Sequence, residues 1–487
     1  MEFETGLFIN NEARYFYIPS SSGETISVYN PADNTLVTDK VQVASAEDVD
    51  KAVASAKEAF KTWRSTPSGQ RAAVMNKYAD LLEKHADQIA LLETTNMGMP
   101  IVGSRMLVGA QAQSFRYYAG LVDKVHGETY TEDGDGLFKM VTYEPFGVCA
   151  GISAWNGTNL SVGWKIAPAV AMGNTFVHKS SERSPLSALF LGRLVKEAGF
   201  PPGVINLISG GGATGAALAS HMDVARMSFT GSVAAGRKVQ MAAAQSNLKP
   251  VTLELGGKSA SIVFEDANMA NAIRHNSQSF LVNNAQACSA ASRLFVHEKI
   301  APAFIENLKK AWTDLLDTIG DPTNTSTFMG PMVDQAQADR VREYVEGAKA
   351  DGVEVLVDSI EEVGARPGSF SGLTVFLNPG LDSRIWKEEI FGPVLVVRTF
   401  KTEEEAVELA NDTEFGLSGI IFTSDISRAL RVASKLEVGT LTINASHYPS
   451  KFTPWGGWKQ SGYGREGGLE AVKEYVQSKT IHVNLNA

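Results

Sequence analysis

Cysteine is nearly absent: 487 residues hold two, Cys149 and Cys288. Two thiols cannot build a disulfide framework, which excludes the small disulfide-stapled secreted classes. No apolar run approaches the ~20 residues of a membrane span. No block of Lys or Arg appears, and 44 basic against 54 acidic residues leave a net charge of −10. That balance argues against nucleic acid and against an anionic membrane as partners. The opening "MEFETGLFIN" lacks a basic segment followed by an apolar one and is not rich in Arg and Ser, so no secretory or organellar leader is expected. "VNLNA" at the other end is neither a retention nor a peroxisomal signal. Internal repeats and low-complexity tracts are missing as well. These absences predict a cytoplasmic protein with reduced thiols, no nucleic-acid or membrane partner and no metal. What remains is an ordinary globular composition, 44% hydrophobic and 20% charged. Its length is enough for about three domains.

The pattern along the chain is α/β. "EDVDKAVASAKEAFKTW" (47–63) carries apolar residues at helical spacing, and a second helix is expected over about 70–95. Strands then alternate with helices: strands at 146–155, 174–180, 204–209, 225–232 and 250–257, with helices between them. Such alternation means a parallel sheet with crossover helices. A second set follows, with strands near 259–264, 293–297, 394–400, 418–423 and 439–443. Residues 127–144, "GETYTEDGDGLFKMVTYE", differ: two β-prone arms flank "DGDG", a hairpin signal that interrupts the first layer.

Three glycine-rich stretches invite a phosphate reading. "GGGATG" (210–215) matches G-x-G-x-x-G between a strand and a helix, but such a match is cheap in a chain with 44 glycines. "GSVAAGRK" (231–238) puts Arg237 where a P-loop requires Lys, and "TLELGGKS" (252–259) puts Thr252 where it requires Gly. Neither specifies the nest of backbone N–H groups that an NTPase needs. "FTGS" (229–232) is more useful. Ser232 is an N-cap candidate, and the helix start behind it offers free N–H groups to an anion such as a pyrophosphate.

"NNAQACSAASR" (283–293) holds one of the two cysteines among small residues. Taken alone, Cys288 reads as a small core residue as readily as a nucleophile, and Cys149, mid-strand in "GVCAGI", reads as core. Context changes the first reading. "SAWN" (153–156), "HKSSE" (178–182), "FTGSVAAG" (229–236), "LELGGKS" (253–259), "NNAQACSAASR", "EEIFGPV" (388–394), "NDTEFGLSG" (411–419) and "PWGGWKQSGYGRE" (454–466) together resemble the aldehyde dehydrogenase superfamily of the NAD(P)-dependent, hydrolytic type. They stand in family order over about 310 residues.

The resemblance implies a Rossmann-like cofactor domain (1–126 and 145–256) and an α/β catalytic domain (257–455). The hairpin 127–144 and the segment 470–487 form an oligomerisation arm, giving a homodimer or homotetramer. It also implies roles. Cys288 is the thiol that attacks the aldehyde, since a bare aldehyde releases hydride poorly and a tetrahedral thiohemiacetal releases it well. Asn156 and the Cys288 backbone N–H are the oxyanion donors. Glu254 is the general base that activates water against the thioester. Lying between apolar residues in "TLELGG", it is expected to be buried, which raises a carboxyl's pKa. NAD is the implied cofactor, with NADP less favoured. Glu389 and Phe391 meet its nicotinamide end, Trp155, Gly231, Ser232 and Leu255 its middle, and Lys179 and Glu182 its adenosine ribose. "GGGATG" is expected near the adenine, not at a phosphate.

Several positions depart from the family pattern. Ala285 stands where Gly is usual. Gly157 and Thr158 replace an aromatic residue and a proline, and Val282 replaces another frequent aromatic. Leu469 stands where a glutamate of a secondary proton relay is expected. With Gly157 and Val282 small, and Trp164 and Trp455 keeping large rings, the tunnel is expected to admit a bulky, aromatic or apolar aldehyde. Two alternatives remain: a coenzyme-A-acylating enzyme, which has no need of Glu254, and a non-catalytic binding protein on the same fold. The ribose segment also yields a prediction about cofactor choice. The 2′-phosphate of NADP approaches Glu182, and two like charges at close range repel by more than about 1 kcal/mol even at an effective dielectric of ~20. Steady-state kinetics with both cofactors should give a higher kcat/KM for NAD. Parity with NADP means that Glu182 does not face the 2′ position.

Overall fold

Two parallel sheets are joined through a five-residue crossing that carries much of the site. The computed structural model describes residues 3–11, 17–446 and 450–486. In the first sheet five parallel strands run in the spatial order Ile205–Ser209, Thr175–Ser180, Val148–Ile152, Arg226–Thr230, Val251–Glu254. Leu7–Phe8 and Tyr17–Ile18 extend one edge and Gly462–Tyr463 the other, all antiparallel. The order reverses between Val148–Ile152 and Arg226–Thr230. In open α/β sheets ligands bind outside the carboxyl ends of strands at such a reversal.

The second sheet has six parallel strands, in the order Thr374–Leu377, Val394–Phe400, Arg293–His297, Ala260–Val263, Ser418–Phe422, Thr440–Ile443. Glu354–Asp358 pairs antiparallel at its edge. Both sheets are covered on both faces, which is why their strands read as near-continuous apolar runs. In the first, Cys149, Phe176, Ile205 and Leu207 point into one core, while Val148, Ala150, Ile152, Val177 and Ile208 point into the other. Cys149 is therefore a core residue, and burial pushes its thiol up to about 12. The second sheet alternates in the same way, with Ile262, Phe295 and Val396 on one side and Val263, Leu294 and Val397 on the other.

Local sequence accounts for the helix starts. Ser45 and Asp48 form a reciprocal capping box ahead of Ala46–Trp63. Ser232 caps Val233–Gln245, accepting the Ala235 N–H at 3.3 Å. One helix expectation needs correction: the span 70–95 is two helices, Ser68–Lys84 and Ala86–Met97, separated at His85. Helices Ile101–Ala119, Ala301–Leu316 and Gln335–Ala350 complete the layers.

The hairpin lies where its turn residues put it. Glu128–Tyr130 pairs with Leu137–Pro145, and Gly134 and Gly136 turn the chain at φ +79° and +70°. Leu137–Pro145 pairs on its other side with Val476–Asn484 over nine residues. That last strand is a largely exposed edge. Among the described residues no helix is long and apolar enough to cross a membrane.

Gly151 ties the first sheet to the site. A Cβ there would lie 2.8 Å from the Phe176 ring and 3.2 Å from Cδ of Lys165. Both neighbours are fully buried. Overpacking of this kind costs about 1–3 kcal/mol. Gly151→Ala should lower the thermal midpoint measured by differential scanning calorimetry, and an unchanged midpoint would mean that the Lys165 chain yields freely.

Candidate active site

Cys288 sits on a strained loop. Asn283, Asn284 and Ala285 adopt left-handed φ values of +52°, +54° and +58° in succession. Asn tolerates this region, but Ala has no such allowance and costs of order 1–2 kcal/mol there. Hydrogen bonds hold the loop in place. Gln286 accepts the Val333 N–H at 2.9 Å and donates to the Asn283 carbonyl at 3.0 Å. Asn284 donates to the Ser371 carbonyl at 3.3 Å. Asn156, at the carboxyl end of the central strand of the first sheet, donates from Nδ2 to the Gln286 carbonyl at 3.0 Å. An Asn amide has two N–H donors, so one is left to meet a substrate oxygen.

The half-buried Cys288 packs against the cluster of Trp164, Leu417 and Trp455, as does Leu160. Burial, then the Glu254 carboxylate, then the Glu389 carboxylate hold its thiol well above the ordinary value. A neutral thiol flanked by two acids needs a base to become a nucleophile.

Glu254 is that neighbour. It ends the last parallel strand of the first sheet and is buried. Neither carboxylate oxygen meets a partner at hydrogen-bond geometry. Burial, followed by repulsion from Glu466, raises its pKa well above the ordinary value. Lys165, the approach of the Trp455 indole and Arg465 oppose the rise. The Lys165 ammonium donates to Glu466 and to the Ser228 hydroxyl (2.9 Å), and Ser228 donates to Glu466 at 3.1 Å. This enclosed network borders Glu254.

Two of these residues escape the sequence reading. Lys165 carries one visible signal, a lone cation in the apolar helix "TNLSVGWKIAPAVA". Glu466 lies inside a motif used for the resemblance but has no role in that reading. Leu469 is exposed, and the carboxylate beside Glu254 is Glu466, next to Arg465.

Among the residues that the resemblance gives to the cofactor, Glu389 accepts the Gly257 N–H at 3.0 Å, and burial pushes its carboxyl up to about 7. Phe391 holds a left-handed φ of +63° and meets the Trp155 ring edge-on at 5.2 Å. Arg183 lies over Trp155 at 5.8 Å and pairs with Asp334 at 3.2 Å. Lys179 is buried, which lowers its pKa, and it pairs with the more exposed Glu182 at 3.6 Å. A Cβ on Gly215 of "GGGATG" would lie 3.9 Å from Cδ of Lys179, so this helix borders the Lys179–Glu182 pair. Gly231 donates to the Glu254 carbonyl at 3.1 Å, and Leu255 packs where a Cβ on Gly236 would stand. The first N–H groups of Val233–Gln245 have no intrahelical partner, as a pyrophosphate site requires.

Leu160 and Trp164 also line a cleft of about 810 Å³, open mouth included, together with Met106, Gly109, Ala110 and Gln113, among others. The Trp164 and Trp455 rings lie 6.3 Å apart. Gly157 and Val282 are not among the lining residues. Val282 is 51% exposed, and the nearest atom to a Cβ on Gly157 is Cδ1 of Leu107 at 3.9 Å. The sequence offers a second filling of this space, the loop "NASHYPSKF" (444–452) with His447 and Tyr448 reaching inward, but those two residues lie outside the described ones.

Comparison with known proteins gives a consistent result. The model of the aldehyde dehydrogenase family matches residues 17–481. An aldehyde dehydrogenase of Emericella nidulans is 43% identical over 482 residues, covering 99% of this chain and 95% of that protein. Human retinal dehydrogenase 2 is 43% identical over 488 residues, covering 99% and 92%. The solved structure of indole-3-acetaldehyde dehydrogenase of P. syringae, in complex with NAD+ and IAA, superposes with a TM-score of 0.95 at 36% identity, covering 100% and 97%.

Proposed function

Because the chain belongs to the aldehyde dehydrogenase family, and so is an NAD(P)-dependent oxidoreductase that acts on aldehydes, we propose that Cys288, Asn156 and Glu254 carry out the oxidation. The observation behind this reading is the convergence at Gly257. Its N–H holds Glu389, its Cβ would stand 2.5 Å from the Cys288 carbonyl oxygen, and Glu254 lies three residues before it.

Glu254 takes the Cys288 proton, and burial, which raises its pKa, makes its carboxylate a stronger base for that step. Thiolate Sγ attacks the carbonyl carbon. The oxygen gains the electron pair and is held by the free N–H of Asn156 and the backbone N–H of Cys288. When bound, NAD supplies the acceptor for the hydride that leaves this carbon. Glu389, Phe391, Trp155, Gly231, Ser232, Leu255, Lys179 and Glu182 would hold it. Glu254 first passes the Cys288 proton out through the Glu466 carboxylate beside Lys165. It then removes a proton from the water whose oxygen attacks the thioester carbon, the Cys288 thiolate leaves as the acid is released, and the second proton departs by the same route. A base so placed supports hydrolysis over transfer to coenzyme A.

The apolar walls at Leu160, Trp164, Leu417 and Trp455 support a bulky, aromatic or otherwise apolar aldehyde. Two relatives named for retinal and for indole-3-acetaldehyde agree with that class. We assign the first sheet to the cofactor and the second to catalysis. The edge strand Val476–Asn484, with Ile481 and Val483 exposed, pairs subunits into a homodimer or homotetramer. A reduced Cys288 suits a cytoplasmic setting.

Two experiments test this reading. Cys288→Ala should abolish NADH formation, whereas Glu254→Gln should slow acylation without abolishing it, stall hydrolysis and show an acyl adduct by intact-mass spectrometry. Steady turnover by Cys288→Ala contradicts the mechanism. For size, Gly109→Phe, on the wall of the cleft and with open space before it, should lower kcat/KM for bulky aldehydes while sparing or improving short ones. A uniform loss across the series means that the cleft beside Gly109 is not the path of the aldehyde, and the size argument falls.

A further inference from the structure

Glu93 is fully buried, 62 residues before Trp155 in sequence, and takes no part in the steps above. It lies in helix Ala86–Met97, one turn before Asn96, which is also buried. Each serves the start of a different helix. Glu93 accepts the Thr158 N–H at 3.2 Å, the Asn159 amide at 3.4 Å and the Ser187 hydroxyl. Asn96 accepts the Leu186 N–H at 3.0 Å and donates to the Leu92 and Glu93 carbonyls. Thr158 and Ser184 join the two helix starts through their hydroxyls at 3.0 Å.

These helices, Thr158–Ala171 and Pro185–Ala198, have no side-chain cap of their own. A helix start carries unsatisfied N–H groups and a partial positive charge, and both favour a carboxylate. Here the caps come from a third helix. The turn Trp155–Gly157, which carries Asn156, runs directly into Thr158. Whatever fixes the Thr158 N–H therefore fixes the angle at which Asn156 leaves the sheet. Burial pushes the Glu93 carboxyl up to about 7 in spite of three hydrogen bonds, a mark of how closely the site is enclosed.

We propose that Glu93 is a positioning residue for aldehyde oxidation: through the start of helix Thr158–Ala171 it holds Asn156 where its amide can meet the substrate oxygen. This rests on the reading of Asn156 as an oxyanion donor. Displacement by ~1 Å at such a group costs on the order of 10²-fold in rate.

The test is a double-variant cycle on the full-length enzyme, with NADH formation followed in a single turnover. Asn156→Ala should slow hydride transfer by ~10²–10³-fold. Glu93→Gln should slow it at least about tenfold alone, and no more than about twofold in the Asn156→Ala background, since the group it acts through is gone. Equal slowing in both backgrounds, or no slowing by Glu93→Gln, overturns the positioning role and leaves the oxyanion reading intact. Wild-type transfer by Asn156→Ala overturns the oxyanion reading, and the positioning role with it. Ser187→Ala, which removes a Glu93 partner on the side away from Asn156, replaces Glu93→Gln if that variant does not fold. Its loss should be about threefold and should also vanish without Asn156, and persistence there overturns the proposal.

Discussion

The site depends on close approach at two adjacent glycines. Leu255–Ser259 is the only stretch between the last parallel strand of the first sheet and the first strand of the second. A Cβ on Gly256 would overlap the Glu389 carboxylate, and one on Gly257 would stand 2.5 Å from the Cys288 carbonyl oxygen. Backbone without side chains lets the nucleophile loop and the Glu389 acid touch the crossing from opposite sides. Ser461 pins it from a third side. Its hydroxyl donates to the Gly256 carbonyl at 2.6 Å, and its carbonyl accepts the Leu255 N–H at 3.0 Å. Sheets far apart in sequence thus meet at a few atoms, and Glu254 is delivered to Cys288 by the geometry of the crossing.

Around that crossing the chain buries charge on a scale that stability does not favour. Glu254, Lys165 and Glu466 are buried together, and a desolvated ion pair seldom repays the water it gives up. Such groupings belong where acids must exchange protons near neutral pH. The left-handed run Asn283–Ala285 and the left-handed Phe391 add backbone strain on either side of the same site. The surrounding cores must hold both, and they are large: each sheet is covered on both faces by packed apolar layers.

Much of this was legible from sequence. Apolar runs between helical periods marked the parallel strands because burial on both faces removes alternation. "DGDG" marked the hairpin, and Ser232 the helix cap. What escaped has common physical causes. Helices Ser68–Lys84 and Ala86–Met97 read as one because nothing in their periodicity breaks at His85. The edge strand Glu354–Asp358 and its inner neighbour Thr374–Leu377 escape the sequence reading, the former being short and half-exposed. Lys165 was hidden by its apolar helix. Ser187 and Asn96 look like ordinary helix-interior polar residues until their partners are seen.

By itself the sequence determined the family, the order of the elements and the kinds of chemical group available, because motif spacing and hydrophobic period are local properties. It also located Cys288, Asn156 and Glu254 within motifs. Only the tertiary structure decided which of the buried acids face one another. Glu466, not a residue at position 469, stands beside Glu254, and Glu93 caps a helix that begins 65 residues later. Contacts of that kind are set by how sheets and helices pack in three dimensions. Desolvation, which gives each carboxyl its proton affinity, exists only once the packing is complete.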